Sequence, residues 1–368
     1  MFLPISRQDL IERNIEQLDF ILISGDAYVD HPSFGIAIIS RMLEHFGYSV
    51  GIIAQPNMKD DRAFHELGTP KLGFLISSGN IDSMVNHYSV SKRRRTKDLY
   101  SPNGEMGLRP DYATIKYGAK VRQLFPEATI IIGGIEASLR RLAHYDYWGN
   151  NVRKSILLDS KADLLVYGMS ELSIVEVADY LRSGLDIKDI IFVKGTVFKT
   201  KNDDYIPSDA VYLPTYDEIL EDKAIYAKSF NIKYNNIDYI SGKPLVEEYK
   251  RSKVVQLPPN RPLRKDEMDM IYSLPYERTY HPIYNELGHI PAINEVQFSI
   301  ISNRGCYGGC SFCALTYHQG RIIQSRSKES IVNEAKTIKE HKDFKGYIHD
   351  VGGPTANFYD IACDKQVT

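Results

Sequence analysis

Cysteine is scarce in this chain and unevenly placed: of four cysteines in 368 residues, none precedes Cys306. So few thiols in a chain of this length exclude a secreted disulfide scaffold. Long apolar runs are missing too. No stretch approaches the ~18 residues that would read as a membrane span. Met1 to Leu10 carries Arg7 and Asp9 and has no apolar core of signal-peptide length, so the chain is expected in the cytoplasm, without a membrane partner. A dominant charge sign is also lacking, with a formal net charge of -2 and a sequence pI near 6.6. No global field therefore draws the molecule to nucleic acid or to an anionic surface, and such a partner would need a local patch. What remains is an ordinary globular composition, 43% hydrophobic, in a chain long enough for two domains.

The first half alternates short apolar runs with amphipathic stretches. Phe20 to Ile23, Val50 to Ala54, Leu72 to Ile76, Thr129 to Ile132 and Leu164 to Tyr167 read as buried strands, being continuous apolar runs of strand length. From Ser33, the positions Ile36, Ile39, Leu43 and Phe46 recur at helical spacing and stop at Gly47; a second helix runs from Glu171 to Leu181 and stops at Gly184. Alternation of this kind predicts an α/β fold with a doubly wound parallel sheet, whose ligands sit at the carboxyl ends of the strands. Those ends are Gly25-Asp26, Gly133-Gly134 and Gly168; tight turns alone would also account for the glycines.

Further on, Ile190 to Phe198 and Tyr205 to Leu213 read as two pieces of a hairpin, and Tyr216 to Phe230 as helix. These segments close an expected first domain, 1–240. The span 241–291, rich in charge and proline, reads as a connector to a second domain, 292–368. Lys92 to Lys97 carries five cations in six residues. Such a run is ordinarily a solvated face, with phosphate or RNA contact as the alternative.

Three cysteines crowd into Cys306-Tyr-Gly-Gly-Cys310-Ser-Phe-Cys313. An odd number of thiols so closely spaced cannot pair off as disulfides, so the segment reads as a metal or cluster site. Val296, Phe298 and Ile300 alternate with polar residues and predict a strand leading into the loop. Ser327 caps a following helix, and Tyr347 to Val351 forms a second strand ending at Gly352-Gly353-Pro354. A C-x3-C-x2-C loop can wrap one iron–sulfur cluster, with Gly305, Gly308 and Gly309 letting the backbone turn its N–H groups toward sulfur. Three thiolates on four irons leave one iron without a protein ligand. Zinc with His318 or Cys363 as a fourth ligand, or Cys363 closing the cluster, are the competing arrangements.

The pattern C-x3-C-x-aromatic-C, with Phe312 in the aromatic place, resembles the radical S-adenosylmethionine superfamily. The segments Gly25–Gly35 (GDAYVDHPSFG), Ile131–Arg141 (IIGGIEASLRR) and Asp159–Gly168 (DSKADLLVYG) resemble its uncharacterised YgiQ-type proteins. The resemblance implies a 4Fe-4S cluster on Cys306, Cys310 and Cys313, S-adenosyl-L-methionine chelated to the open iron, and contacts to that cofactor from Phe312, Gly352 and Gly353. Pro354 stands where the glycine motif usually has an acid. It also implies a 5′-deoxyadenosyl radical acting on an unknown substrate, and an electron donor such as a flavodoxin or ferredoxin. Of His349 and Asp350, strand alternation turns only one toward the site.

The first half is similar to cobalamin-binding folds, but their D-x-H-x-x-G motif is broken here: Val29 is two before His31 and Gly35 is four after it, so His31 is not expected to ligate cobalt. A partial radical-enzyme barrel resembles a six-unit piece of the (β/α)8 design, whereas 292–368 holds about two units. The expectation is an incomplete barrel, too short for turnover, with an open parallel edge. The competing reading is a non-catalytic ligand- or RNA-docking α/β module whose cysteine loop holds zinc or an iron–sulfur group.

Overall fold

The computed structural model describes residues 1–354 and 358–360. Strands β1 (Phe20–Ser24), β2 (Val50–Ala54), β3 (Gly73–Ser77), β4 (Ile130–Gly133) and β5 (Leu164–Val166) all run parallel, side by side in the order β2-β1-β3-β4-β5. Alternation along these largely apolar strands sends Phe20, Leu22, Leu75 and Ile131 into one core and Ile21, Ile23, Phe74 and Ile132 into another. Both faces are therefore buried, as a parallel sheet requires.

Helix α1 (Gly35–His45) covers the first face with Ile36, Ile38, Met42 and Leu43, and α2 (Ala113–Leu124) covers the second with Ala113, Tyr117 and Val121. The short helix α3 (Gly134–Leu139) leaves the end of β4, and α4 (Glu171–Arg182) lies beside α1 on the first face. Gly47 closes α1 with φ +80 and Gly184 follows α4 with φ +92, both in the left-handed region that glycine enters without strain.

Two readings from the sequence are corrected. The strands β6 (Thr196–Thr200) and β7 (Val211–Tyr212) do not pair with each other. Instead β6 lies antiparallel to β5, and the sheet continues through β9 (Ser252–Gln256) and β8 (Leu245–Tyr249) to β7, nine strands in all among the described residues. The span read as a connector thus supplies a hairpin to the sheet. It also supplies helix α5 (Lys265–Tyr272), which sinks Met268, Ile271 and Tyr272 into the first core. The charge and proline content reflects turns such as 257–262, not a lack of structure.

The expected strand over 296–300 is likewise shorter, because Ile293–Val296 is a helical turn and only β10 (Ile300–Ile301) is extended. It pairs in parallel with β11 (Val351–Gly352). Helix α6 (Leu315–Gln319) follows the cysteine loop, and α7 (Lys328–Lys339) starts at Ser327, whose hydroxyl accepts the Ser330 N–H. Phe298, Ile300 and Ile338 form a small core under this C-terminal segment. No helix among the described residues is long and apolar enough to cross a membrane.

Candidate active site

The strand order reverses between β1 and β3, and in open α/β sheets the crevice at such a switch point receives ligands. A cavity of about 560 Å³ lies here, within the size range of small-molecule sites. Its floor is apolar, with Leu22, Ile39, Leu75, Ile131 and Ile174, and its rim carries Ser33, Asn80, Gly133, Gly134 and Gly168 from the strand ends. The opposite wall comes from the C-terminal segment: Asn303, Arg304, His318, Asp350, Gly352, Gly353 and Pro354. Two of the three strand ends picked from the sequence therefore border the cavity. The third does not, since Asp26 is consumed by a buried ion pair with Arg109 (2.9 Å) and accepts the Asn80 N–H at 2.7 Å. Burial pushes its carboxyl up to about 6 against the pull of Arg109.

The conspicuous polar residues of the N-terminal segments are structural. Asp30 pairs with Arg41, Asp82 with Arg140, and Glu136 accepts from Ser83 and Thr114, all buried. His31 is buried as well. Its Nδ1 accepts the Ser33 N–H (3.0 Å), which leaves Nε2 to donate to the Gln297 carbonyl (3.2 Å). Burial lowers its pKa, so the ring stays neutral with both nitrogens occupied.

The cysteine loop hangs from the wall of this cavity. Asn303–Arg304 pairs with Gln324–Ser325, Gly305 turns the chain with φ +87, and Cys306 follows. A side chain at Gly305 would drive its Cβ into the Ile322 carbonyl oxygen. Cys306 is buried, Cys313 half-buried and Cys310 exposed. Gly308 donates its N–H toward Cys306 Sγ (3.4 Å), and a Cβ at Gly308 would lie 3.3 Å from Cys306 Sγ and 3.8 Å from Cys310 Sγ. Both sulfurs therefore lie close to the same backbone position, and a side chain there would press on Cys306 Sγ. Thr316 ties the loop down by donating to the Gly308 carbonyl at 2.8 Å. Among the described residues no three His, Cys, Asp or Glu side chains converge to hold a single metal ion, so His318 does not complete a zinc site there. A cluster differs in that each thiolate binds its own iron, so convergence on one point is not required. Cys363 lies outside the described residues.

Phe312 is 90% exposed beside the loop. Gly352 and Gly353 border the cavity, and a Cβ on Gly353 would collide with the Asn303 amide Nδ2. Of the two candidates before them, Asp350 lines the cavity and His349 does not.

Sequence reasoning missed the contacts that seat the cysteine segment on the sheet. Arg304, buried, pairs with Glu171 at the start of α4 and donates to the Tyr272 hydroxyl of α5 at 2.8 Å. Arg278 pairs with Glu334 of α7 at 2.5 Å, and Arg326 joins the same carboxylate. Arg141, from the end of α3, stacks its guanidinium 4.0 Å from the ring of Tyr317 on α6. His318, next to Tyr317, is half-buried at the cavity wall, and its pKa falls to about 4, first through burial and then through Arg141.

A family profile described as "Radical SAM N-terminal" matches residues 2–299. The chain belongs to that family. Its relatives include UPF0313 proteins of Clostridium perfringens (58% identical over 367 residues) and Clostridium botulinum strain Okra (58% over 365 residues). This chain is covered to 100% and 99% and theirs to 55% and 57%, so it spans about half the length of the curated relatives it matches. Among solved structures, the fold is similar to that of TsrM from Kitasatospora setae, a radical S-adenosylmethionine methyltransferase (TM-score 0.50, 14% identity, 91% of this chain and 47% of that one). That protein has been solved with tryptophan and a SAM analog, and also with cobalamin and a [4Fe-4S] cluster. At this identity the likeness speaks to the fold alone. The matched span 2–299 covers the sheet, its hairpin and α5, and ends just before β10, where the cysteine segment begins.

Proposed function

We propose that Cys306, Cys310 and Cys313 hold a 4Fe-4S cluster whose open iron takes S-adenosyl-L-methionine, and that the substrate occupies the cavity between the sheet and the cysteine segment. The observation that carries this reading is the approach of Cys306 Sγ and Cys310 Sγ to the bare backbone of Gly308, on a loop whose stem residues Asn303 and Arg304 line that cavity. When bound, the pair of cofactors supplies one-electron cleavage of the sulfonium and a 5′-deoxyadenosyl radical for hydrogen abstraction.

The chain's own residues do the positioning. Backbone N–H groups of the loop stabilise thiolate charge, as Gly308 does for Cys306. Gly352 and Gly353 present bare backbone at the cavity wall for the amino group of the sulfonium cofactor, with Pro354 contributing no charge. The Phe312 ring stands at the loop for the adenine. The apolar floor from Leu22 to Ile174 keeps water from a reactive intermediate. A flavodoxin- or ferredoxin-type donor would reach the cluster from the exposed Cys310 side.

Anaerobic reconstitution with iron and sulfide tests the reading. The chain should turn brown and bind about four irons, and the triple Cys→Ala variant should stay colourless. Colour retained in that variant, or zinc as the only metal found by elemental analysis, would sink the proposal in favour of a docking module.

A further inference from the structure

We propose a second binding surface, for single-stranded nucleic acid, built from the basic run 92–97 and the hairpin formed by His144–Asp146 and Asn151–Arg153. This surface is independent of the cluster. Lys92, Arg93, Arg94, Arg95 and Lys97 are all exposed, and none of them forms an ion pair with an acidic side chain among the described residues. Five cations in six residues without a paired acid, on a molecule of net charge -2, concentrate positive potential at one spot.

The surface is also aromatic. The hairpin presents Tyr145 and Tyr147 at 46% and 41% exposure, and it is fastened to the basic run rather than merely near it. Tyr147 donates its hydroxyl to the Val90 carbonyl at 2.6 Å, and Lys92 Nζ donates to the Trp148 carbonyl at 3.3 Å while sitting 4.9 Å from the Tyr147 ring centre. Arg94 similarly lies 5.9 Å from the ring of Tyr88. Cations for phosphates, interleaved with rings on which bases stack, make the surface by which proteins hold single strands without reading sequence.

Position adds to the chemistry. The basic run lies in the segment between β3 and α2, and the hairpin follows α3. Tyr100, three residues past Lys97, lines the cavity.

Fluorescence anisotropy with labelled, unstructured 20-mers of uridine and of thymidine tests the proposal on the chain without metal. Binding is expected at 50 mM salt and should weaken steeply as salt rises. Replacing Arg93, Arg94 and Arg95 together by alanine should lower the salt slope by about 2, at roughly 0.7 for each phosphate no longer neutralised. The pair Tyr145→Ala and Tyr147→Ala should weaken binding at least about fivefold while leaving the slope unchanged. These side chains are exposed, and circular dichroism should confirm that each variant is folded. The exposed Val90 would also suit an acyl surface, so vesicles of phosphatidylserine and phosphatidylcholine form a second arm. Absence of binding to both oligomers, a slope unchanged in the triple variant, or binding to vesicles alone would overturn the proposal.

Discussion

At the scale of single residues, the loop is specified by where a side chain is forbidden. Gly305 combines φ +87 with a Cβ position already occupied by the Ile322 carbonyl oxygen, and a backbone atom cannot swing aside as a side chain can. Gly305→Ala is expected to lower stability by ~2 kcal/mol or more and to reduce iron uptake, read by thermal unfolding and iron content on the same preparation. His318 offers a pH test. Its folded pKa of about 4 lies below the ~6.5 of an unfolded histidine. Between these values the unfolded chain binds a proton that the folded chain refuses. Stability is therefore lost as pH falls from ~6.5 toward 4 and levels off below, by up to ~3 kcal/mol from this residue. Urea titrations across that window should show His318→Asn flattening the acid limb. A limb of unchanged steepness would place the acid sensitivity elsewhere, for instance at His144, which burial also lowers, to about 3.

Elements are held to one another here by buried charge as much as by apolar area. Arg304 stands one residue before Gly305 and reaches Glu171 at the head of α4, so the stem of the cysteine loop is keyed to the sheet by a desolvated pair. Removing one partner strands the other without solvent. Arg304→Ala is expected to cost ~3–5 kcal/mol, whereas the double replacement Arg304→Met with Glu171→Leu should recover much of that loss, as guanidinium chloride midpoints would show. The same scale explains where strand assignments slipped. Thr196–Thr200 (TVFKT) has a strand's composition, but strand character does not name a partner. Pairing went to β5 and to β9, a segment whose nearby prolines and charges had suggested a linker.

For the molecule as a whole, the Glu171–Arg304 pair, the Arg141–Tyr317 stack and α5 in the first core join the N-terminal sheet to the C-terminal segment through buried contacts. Cooperative unfolding is expected in consequence. Calorimetry should give one transition with matching van't Hoff and calorimetric enthalpies. Two resolved transitions would mean that the segment after residue 299 folds on its own terms, and that the cavity wall it provides can part from the sheet.

The amino-acid sequence alone determined what depends on local periodicity and on residue chemistry: five parallel strands, the helices α1 and α4 with their stops, α7 with its cap, and three closely spaced thiols. Strand runs such as FILIS carry their own burial pattern, and a thiolate triplet has few chemical uses, so neither needs a partner to be read. Tertiary structure alone decided which strands neighbour β5, that Asp26, Asp30 and Glu136 spend their charge on buried arginines and serines, and that the sheet's switch point and the glycine pair share one cavity. Each of those outcomes joins residues far apart in the chain, and sequence spacing carries no information about which distant charge or edge will arrive to satisfy a buried group.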